Sequence, residues 1–229
     1  MYTRHSLVWL SAQGWQSCRD CGGEKLAPAS HAALARWQQA DWPAIVRRAD
    51  VGTPEHAVCL GLALPPDPQT GHKVRIALRA AVAEVRRIRG PLSIDAVLAG
   101  APAHWREALQ LLAADVARND LTFGVYGSLA LQALTGASYV GAGSDIDLLF
   151  APKNRSQLEA GIALLQQHAQ SLPLDGEIRF PSGQAVAWKE WAQAGDSQSR
   201  VLVKDDRGVQ LSTLAALLAS FVNPEHIDA

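Results

Sequence analysis

Two aspartates separated by one residue, Asp145 and Asp147 in Ser144-Asp145-Ile146-Asp147-Leu148-Leu149-Phe150, are the side chains whose types and spacing best suit chemistry. In an extended chain successive side chains alternate between faces, so both carboxylates point one way while Ile146 and Leu148 point into a core. Their Cα atoms then lie about 7 Å apart, a separation set by the rise of a strand. Such a pair suits Mg²⁺, a hard, hydrated ion usually held by one or two carboxylates together with substrate phosphates, and Mn²⁺ is the alternative metal.

A second feature lies just upstream. Leu121-Thr122-Phe123-Gly124-Val125-Tyr126 reads as a short strand that runs into Gly127-Ser128 and then a helix closed by Gly136. A glycine at that turn lets a phosphate approach the backbone, and the helix N-terminus offers unpaired N–H groups to an anion. Gly127 and Ser128 are therefore expected to cradle a triphosphate whose α- and β-phosphates bridge metal held by Asp145 and Asp147.

The surrounding pattern supplies the scaffold. Trp105, Ala108, Leu109, Leu112 and Val116 recur at helical spacing between His104 and Asn119, predicting an amphipathic helix whose apolar stripe is core. Ser156 to Ala169 predicts another helix, Leu174 to Phe180 and Ala185 to Trp191 a β-hairpin about Pro181-Ser182-Gly183, Val201 to Val203 a strand, and Ser212 to Phe221 a closing helix with Ser212 as its N-cap. Toward the N-terminus, Pro28 to Gln39 reads as a helix, and Val58 to Leu64 with Lys73 to Arg79 as a hairpin with a long turn. Gly90-Pro91 and Gly100-Ala101-Pro102 bracket a composition shift. The expected organisation is thus an α+β fold with an N-terminal domain over residues 1–100 and a catalytic domain over 101–229.

Composition narrows the setting. A chain of 229 residues with 48% hydrophobic and 19% charged residues is that of an ordinary globular protein. Its net charge of −1 gives no electrostatic reason to bind a nucleic-acid polymer or a membrane surface. No apolar run reaches membrane-spanning length and no signal core follows Met1, so a cytoplasmic protein is expected. The three cysteines are an odd number in a chain too large to need stapling, so no disulfide framework is expected, and the Cys18-x-x-Cys21 pair, followed by Gly22-Gly23, reads as a surface loop.

Apolar-Gly-Ser, a helix, then Asp-apolar-Asp-apolar resembles the nucleotidyltransferase superfamily that includes DNA polymerase β, here as Val125-Tyr126-Gly127-Ser128 and Gly143-Ser144-Asp145-Ile146-Asp147-Leu148. The 16 residues between Ser128 and Asp145 are a little more than that superfamily usually has, and a loop around Ser138 to Gly143 accounts for the excess. The resemblance implies a catalytic and metal role for Asp145 and Asp147, and a third carboxylate from a later strand. Asp175 and Glu177, spaced i and i+2, are the candidates, with Asp175 preferred and Glu177 and Ser144 assigned to substrate.

Further stretches narrow the resemblance: Arg4-His5-Ser6-Leu7-Val8-Trp9-Leu10, Trp42-Pro43-Ala44-Ile45-Val46-Arg47-Arg48, Gly61-Leu62-Ala63-Leu64-Pro65-Pro66, and Asp175-Gly176-Glu177 with Ala185-Val186-Ala187-Trp188-Lys189-Glu190. Together with the aspartate motif they resemble the phosphoribosyl-dephospho-CoA transferase family of bacterial malonate decarboxylase, also described as malonate decarboxylase holo-acyl-carrier-protein synthases. That resemblance implies transfer of the prosthetic group from 2'-(5''-triphosphoribosyl)-3'-dephospho-CoA to a serine of the apo acyl-carrier subunit, with pyrophosphate leaving. Arg47 and Arg48 are then expected to bind phosphates or carrier within a recognition domain. Trp42 and Trp188 are candidates to stack on adenine, against the ordinary role of core. Two other readings share parts of the pattern: a nucleotidyltransferase that adenylylates a small molecule, and a non-enzymatic nucleotide-binding module, which would lack a metal carboxylate.

Overall fold

A computed structural model describes residues 2–20 and 28–221. The chain folds as two compact units, one built from the segment up to Pro91 together with Ala137–Tyr139, the other from Leu92–Gly136 and the chain from Val140 onward.

In the first unit, β1 (Leu7–Leu10), β2 (Ala44–Val46), β3 (Ala57–Ala63), β4 (Arg75–Ala81) and β5 (Val85–Arg89) form an antiparallel sheet in the order β4-β3-β2-β1-β5. The expected hairpin is β3 with β4, and β4 alternates as a half-buried strand should, with Ile76, Leu78 and Ala80 inside. Helices α1 (Ala12–Asp20) and α2 (Pro28–Gln39) complete this unit, and Trp15, Cys18, Leu34 and Trp37 join Val8, Leu60 and Leu78 in its core. The stretch that leads up to the Cys18-x-x-Cys21 pair is thus helix α1 as far as Asp20. Cys18 is buried on it, with Sγ 3.5 Å from the Arg79 carbonyl, so the surface-loop reading of Cys18 does not hold. Cys21 lies outside the described residues.

The second unit contains α3 (Ile94–Val97), α4 (Ala103–Arg118), β6 (Phe123–Tyr126), α5 (Gly127–Thr135), β7 (Ile146–Phe150), α6 (Arg155–His168), β8 (Leu174–Arg179), β9 (Ala185–Ala187), α7 (Trp188–Gln193), β10 (Arg200–Lys204), β11 (Val209–Thr213) and α8 (Leu214–Ala219). Its mixed sheet runs β11-β10-β9-β8-β7-β6, and only β7 and β8 are parallel, joined by the α6 crossover. The whole is α+β, as expected. Trp105, Leu109, Leu112 and Val116 of α4 bury the predicted stripe against Ile146, Leu148 and Phe150.

Three boundaries differ from the sequence reading. The division between units falls at Pro91/Leu92 and not near residue 100, because Leu92 bridges to Val125 and Ile94 and Val97 bury in the second core. The strand from Ala185 stops at Ala187, and Trp188–Gln193 is helical with Trp188 buried. Ser212 lies in β11 opposite Val201, so the closing helix starts two residues later, capped by Thr213, whose hydroxyl accepts from the Ala216 N–H at 3.2 Å. Among the described residues no helix is long and apolar enough to cross a membrane.

Candidate active site

The site is built where β6 passes into α5. Tyr126 pairs with Asp147 across the β6–β7 ladder, and the next residue, Gly127, has φ +68°. L-residues avoid that region, so glycine is the natural occupant. Packing demands it more strictly: a Cβ at Gly127 would stand 1.9 Å from Asp147 Oδ2 and 2.8 Å from Cγ. The absent side chain therefore makes room for the Asp147 carboxylate, where the sequence reading had reserved the space for phosphate.

One strand over, parallel register sets Asp147 beside Asp175 and Leu149 beside Glu177. Directly paired residues share a face, so Asp147, Asp175 and Glu177 project from the side of the sheet opposite Ile146 and Leu148. Gly176 separates the two β8 carboxylates at φ +127°, and a Cβ there would meet the Leu148 carbonyl oxygen at 1.9 Å. Its own N–H donates to Asp175 Oδ1 at 2.8 Å.

The two β8 carboxylates have different surroundings. Asp175 is 41% exposed at its side chain, with Lys189 Nζ 3.9 Å from Oδ1. Glu177 is 7% exposed and accepts from Lys204 Nζ at 3.1 Å. Burial beside the Lys204 ammonium ties Glu177 into the sheet, whereas Asp175 keeps solvent-facing oxygens next to Asp147.

Asp145 is exposed just before β7 begins. The loop before it is held by a tight turn: Ser144 N–H donates to the Gly141 carbonyl at 3.1 Å, and Ser144 Oγ accepts from the Gly141 N–H at 3.0 Å. Gln132 of α5 anchors the same loop, accepting from Val140 N–H at 3.0 Å and donating to the Gly100 carbonyl at 2.6 Å. Ser144, expected to touch substrate, thus shapes the turn that presents Asp145. A cavity of about 480 Å³ opens here, lined by His104, Trp105, the Val140–Asp145 loop and Pro173. A second, of about 680 Å³, adjoins Asp175 and is lined by Lys189, Glu190, Ser199 and Arg200.

Against this geometry the comparisons with known proteins are informative. The family model described as the phosphoribosyl-dephospho-CoA transferase MdcG N-terminal domain matches residues 3–91, and its C-terminal counterpart matches residues 91–215. The chain belongs to this family. It is accordingly a transferase of the phosphoribosyl-dephospho-CoA type.

Relatives named phosphoribosyl-dephospho-CoA transferase agree over nearly full length. The protein of Xanthomonas campestris pv. campestris (strain 8004) is 39% identical, covering 95% of this chain and 97% of the relative. That of Xanthomonas euvesicatoria pv. vesicatoria (strain 85-10) is 40% identical with the same coverage of both chains. That of Bradyrhizobium diazoefficiens is 36% identical over 91% of this chain and 88% of the relative. No solved structure matches the chain significantly.

The family's N-terminal domain carries Arg47 and Arg48. Arg47 is engaged inside its own unit: both arms of its guanidinium donate to Asp50 at 2.6 Å, and Nε donates to the Leu60 carbonyl at 3.0 Å. The bond to Asp50 raises the Arg47 pKa, and the same fork, helped by Cys59 and Arg79, holds the Asp50 carboxyl far below the usual carboxylate range. Arg48 is exposed. Trp42 is partly buried and packs edge-on against the core residue Trp37 at 5.1 Å, and Trp188, 5% exposed, lies in the core of the second unit.

Sequence reasoning overlooked Lys204, Arg200 and Gln132 because isolated polar residues carry no periodic signal. Only three-dimensional register shows that Lys204 lies two strands from Glu177 on the same face.

Proposed function

We propose that this transferase moves the phosphoribosyl-dephospho-CoA group from 2'-(5''-triphosphoribosyl)-3'-dephospho-CoA to a serine of the apo acyl-carrier subunit of malonate decarboxylase. The serine oxygen forms a bond to the α-phosphorus as the bond to the bridging oxygen breaks, and pyrophosphate leaves. The observation that carries this reading is the side-by-side register of Asp147 and Asp175, with Asp147 seated against Gly127 at the mouth of α5. This arrangement suits phosphoryl-group transfer, in which positioning and charge neutralisation do most of the work.

Among the described residues no three His, Cys, Asp or Glu side chains gather as a self-sufficient ion site. Mg²⁺ is commonly bound through one or two carboxylates plus phosphate oxygens, so the donor's phosphates would have to supply the remaining ligands. Asp147 and Asp175, side by side in register, would hold Mg²⁺ or Mn²⁺, and Asp145, exposed just before β7, is proposed to join them once the ion and the phosphates are bound. The bound ion would supply Lewis-acid stabilisation of charge on the phosphates.

The chain's own groups do the rest. The first N–H groups of the nine-residue α5 face the anion end of the donor, and Ser128 adds a hydroxyl beside them. Asp175 is assigned as the third carboxylate, because its strand register sets it next to Asp147. Glu177, tied to Lys204, orients that strand and contacts substrate only at its margin. The N-terminal unit, with Arg48 exposed, contributes to substrate recognition.

Mass spectrometry of the apo acyl-carrier subunit, incubated with enzyme, magnesium and the triphosphoribosyl donor, tests the proposal. The expected result is a mass increase equal to the prosthetic group on one serine, with pyrophosphate in equal amount. An unmodified carrier alongside adenylylation of a small molecule from ATP would replace this reading with the alternative one.

A further inference from the structure

Asp175 has a charged neighbour on each side of its strand. The parallel β7–β8 register places Asp147 on one flank. On the other, the antiparallel β8–β9 ladder pairs Arg179 with Ala185, Ile178 with Val186 and Glu177 with Ala187. Continued by two residues past the end of β9, that register sets position 189 across from Asp175, although the chain has by then turned into α7. The contact agrees with it: Lys189 Nζ lies 3.9 Å from Asp175 Oδ1. Across three neighbouring positions the face therefore reads Asp147, Asp175, Lys189.

Packing, more than charge, keeps Lys189 there. Trp188, the first residue of α7, is buried in the core of the second unit, which fixes where the helix leaves β9. Lys189 follows it, with Nζ 5.8 Å from the centroid of the Trp188 ring, within the range at which an ammonium and an indole attract. The ion pair with Asp175 holds little. At 3.9 Å, between two side chains that are each close to half exposed, it is screened by water and readily exchanged for another acceptor.

The charges around this position are unequal. Asp147, Asp175 and Glu177 project from the face, and the exposed Asp145 lies just before β7, whereas Lys204 is bonded to Glu177 at 3.1 Å. Arg200 and Glu190 line the same cavity of about 680 Å³ as Lys189 and Asp175, and they oppose each other in sign. Glu190 Oε1 accepts from the Leu202 N–H at 2.7 Å. Asp196 is turned onto the Gln198 and Ser199 N–H groups and Asp205 onto those of Arg207 and Gly208, and these two and Asp206 sit outside the cavity lining. Arg179 stands four residues from Asp175 along β8, about 13 Å at strand rise. A polyanion approaching Asp147 and Asp175 thus meets an acidic floor with the Lys189 ammonium at its edge.

In phosphoryl-group transfer, charge spreads over the non-bridging oxygens of the phosphate under attack, and catalysis comes chiefly from groups already placed to offset it. An ammonium carries three N–H donors, so Lys189 can face Asp175 with one and give another to a phosphate oxygen. The cavity beside it leaves room for that oxygen.

We infer that Lys189 is a catalytic residue of this transferase, its ammonium donating to a non-bridging oxygen of the phosphate that the acceptor hydroxyl attacks. No proton moves to or from Nζ in this role, so the bonds made and broken are those of the transfer itself. The inference rests on the proposed transfer to a carrier serine and gives that site a cation of the chain's own.

Lys189→Met and Lys189→Arg test it, with the apo acyl-carrier subunit and the triphosphoribosyl donor as substrates. Transfer kinetics are measured beside donor affinity by calorimetry without carrier, thermal melting, and Mn²⁺ binding to the donor-free protein by electron paramagnetic resonance. Lys189→Met is expected to lower kcat roughly a hundredfold, the loss that follows removal of one aimed donor. Donor affinity should fall much less, and the melting temperature should not change. Lys189→Arg should recover most of kcat. The Mn²⁺ titration separates this role from a structural one: removing a like charge beside Asp175 should tighten Mn²⁺ binding roughly threefold, even as transfer slows. Wild-type kcat in Lys189→Met, or Mn²⁺ binding no tighter than in wild type, overturns the inference and leaves the functional reading in place. Donor affinity lost with kcat retained makes Lys189 a binding contact alone and overturns its catalytic role. Failure of wild type itself to modify the carrier overturns the functional reading and this inference together.

Discussion

The Asp147 carboxylate occupies the space that a side chain at Gly127 would need, with a Cβ on the glycine falling 1.9 Å from Asp147 Oδ2. The Gly-Ser signature and the aspartate motif are thus one structural unit: the glycine that opens α5 leaves the space in which the acid on β7 sits. Gly127→Ala is expected to behave as an Asp147 variant. The positive φ costs about 1–2 kcal/mol of stability, and displacement of the carboxylate by about 1 Å should lower turnover on the order of a hundredfold. Turnover measured beside thermal melting checks this, and donor binding reduced with turnover of bound donor intact would instead restore the phosphate-cradle role.

Asp145→Ala and Asp147→Ala are expected to reduce transfer about a thousandfold or more, since Lewis-acid stabilisation contributes several kcal/mol. Circular dichroism should be unchanged, because Asp145 is exposed and Asp147 only half-buried. Omitting divalent metal should equal the double variant. An activity loss that appears only with unfolding would contradict the assignment.

Asp175→Ala should join that pair, whereas Glu177→Ala should act mainly through the sheet. Removing Glu177 releases Lys204 from its 3.1 Å bond but leaves Asp175 in register with Asp147. The expected stability loss is about 1 kcal/mol, as for a pair with one exposed partner, with a turnover loss much smaller than that of Asp175→Ala. Side-by-side kinetics of the two alanine variants decide between them, and equal losses would reject the distinction.

How much of this was legible in sequence follows from the range of each signal. The α4 stripe, the β3–β4 hairpin and the aspartate strand are local patterns of period 3.6 or 2, and they appear where periodicity sets them. Helix α1 carries Gln13, Gly14, Gln16, Ser17 and Arg19, with Trp15 and Cys18 as its buried hydrophobic residues, so a polar, Gly-containing stretch reads as loop until the sheet beneath it is known. Strand β5 is a run of exposed arginines, unreadable without its partner β1. At the site, the acids were legible as a spacing. Which of Asp175 and Glu177 stands beside Asp147 depended on the β7–β8 register, a long-range property.

Acid stability should report the Arg47–Asp50 clamp. The folded-state pKa of Asp50 is depressed, chiefly by its bond to Arg47. A depressed carboxylate contributes stability that is fully present above its unfolded value of about 3.9 and is lost as pH falls below it. In the second unit, Asp115 is likewise lowered, first by its bond with His168 and then by Arg118. Melting temperature should therefore fall as pH drops from about 4 to 2, and Asp50→Asn and Asp115→Asn should each flatten part of that decline while starting lower at neutral pH. Melts across that range check the sign, and an unchanged slope in both variants would count against it.

Gln132 supplies the last prediction, because it acts on Asp145 without touching it. Its amide holds Val140 N–H and the Gly100 carbonyl together, fixing the loop whose Gly141–Ser144 turn leads into β7. Gln132→Ala removes both bonds and leaves two backbone groups to find other partners, a loss of about 1–3 kcal/mol if they stay buried. The freed loop should let Asp145 wander from the Asp147 side of the sheet. Turnover is expected to fall roughly tenfold to a hundredfold, with faster hydrogen exchange at Val140 and little change at Asp147 on β7. Gln132→Glu, which keeps the acceptor for Val140 N–H but loses the donor to Gly100, should fall between alanine and wild type. If exchange at Val140 rises while turnover stays at the wild-type level, the loop does not set the position of Asp145.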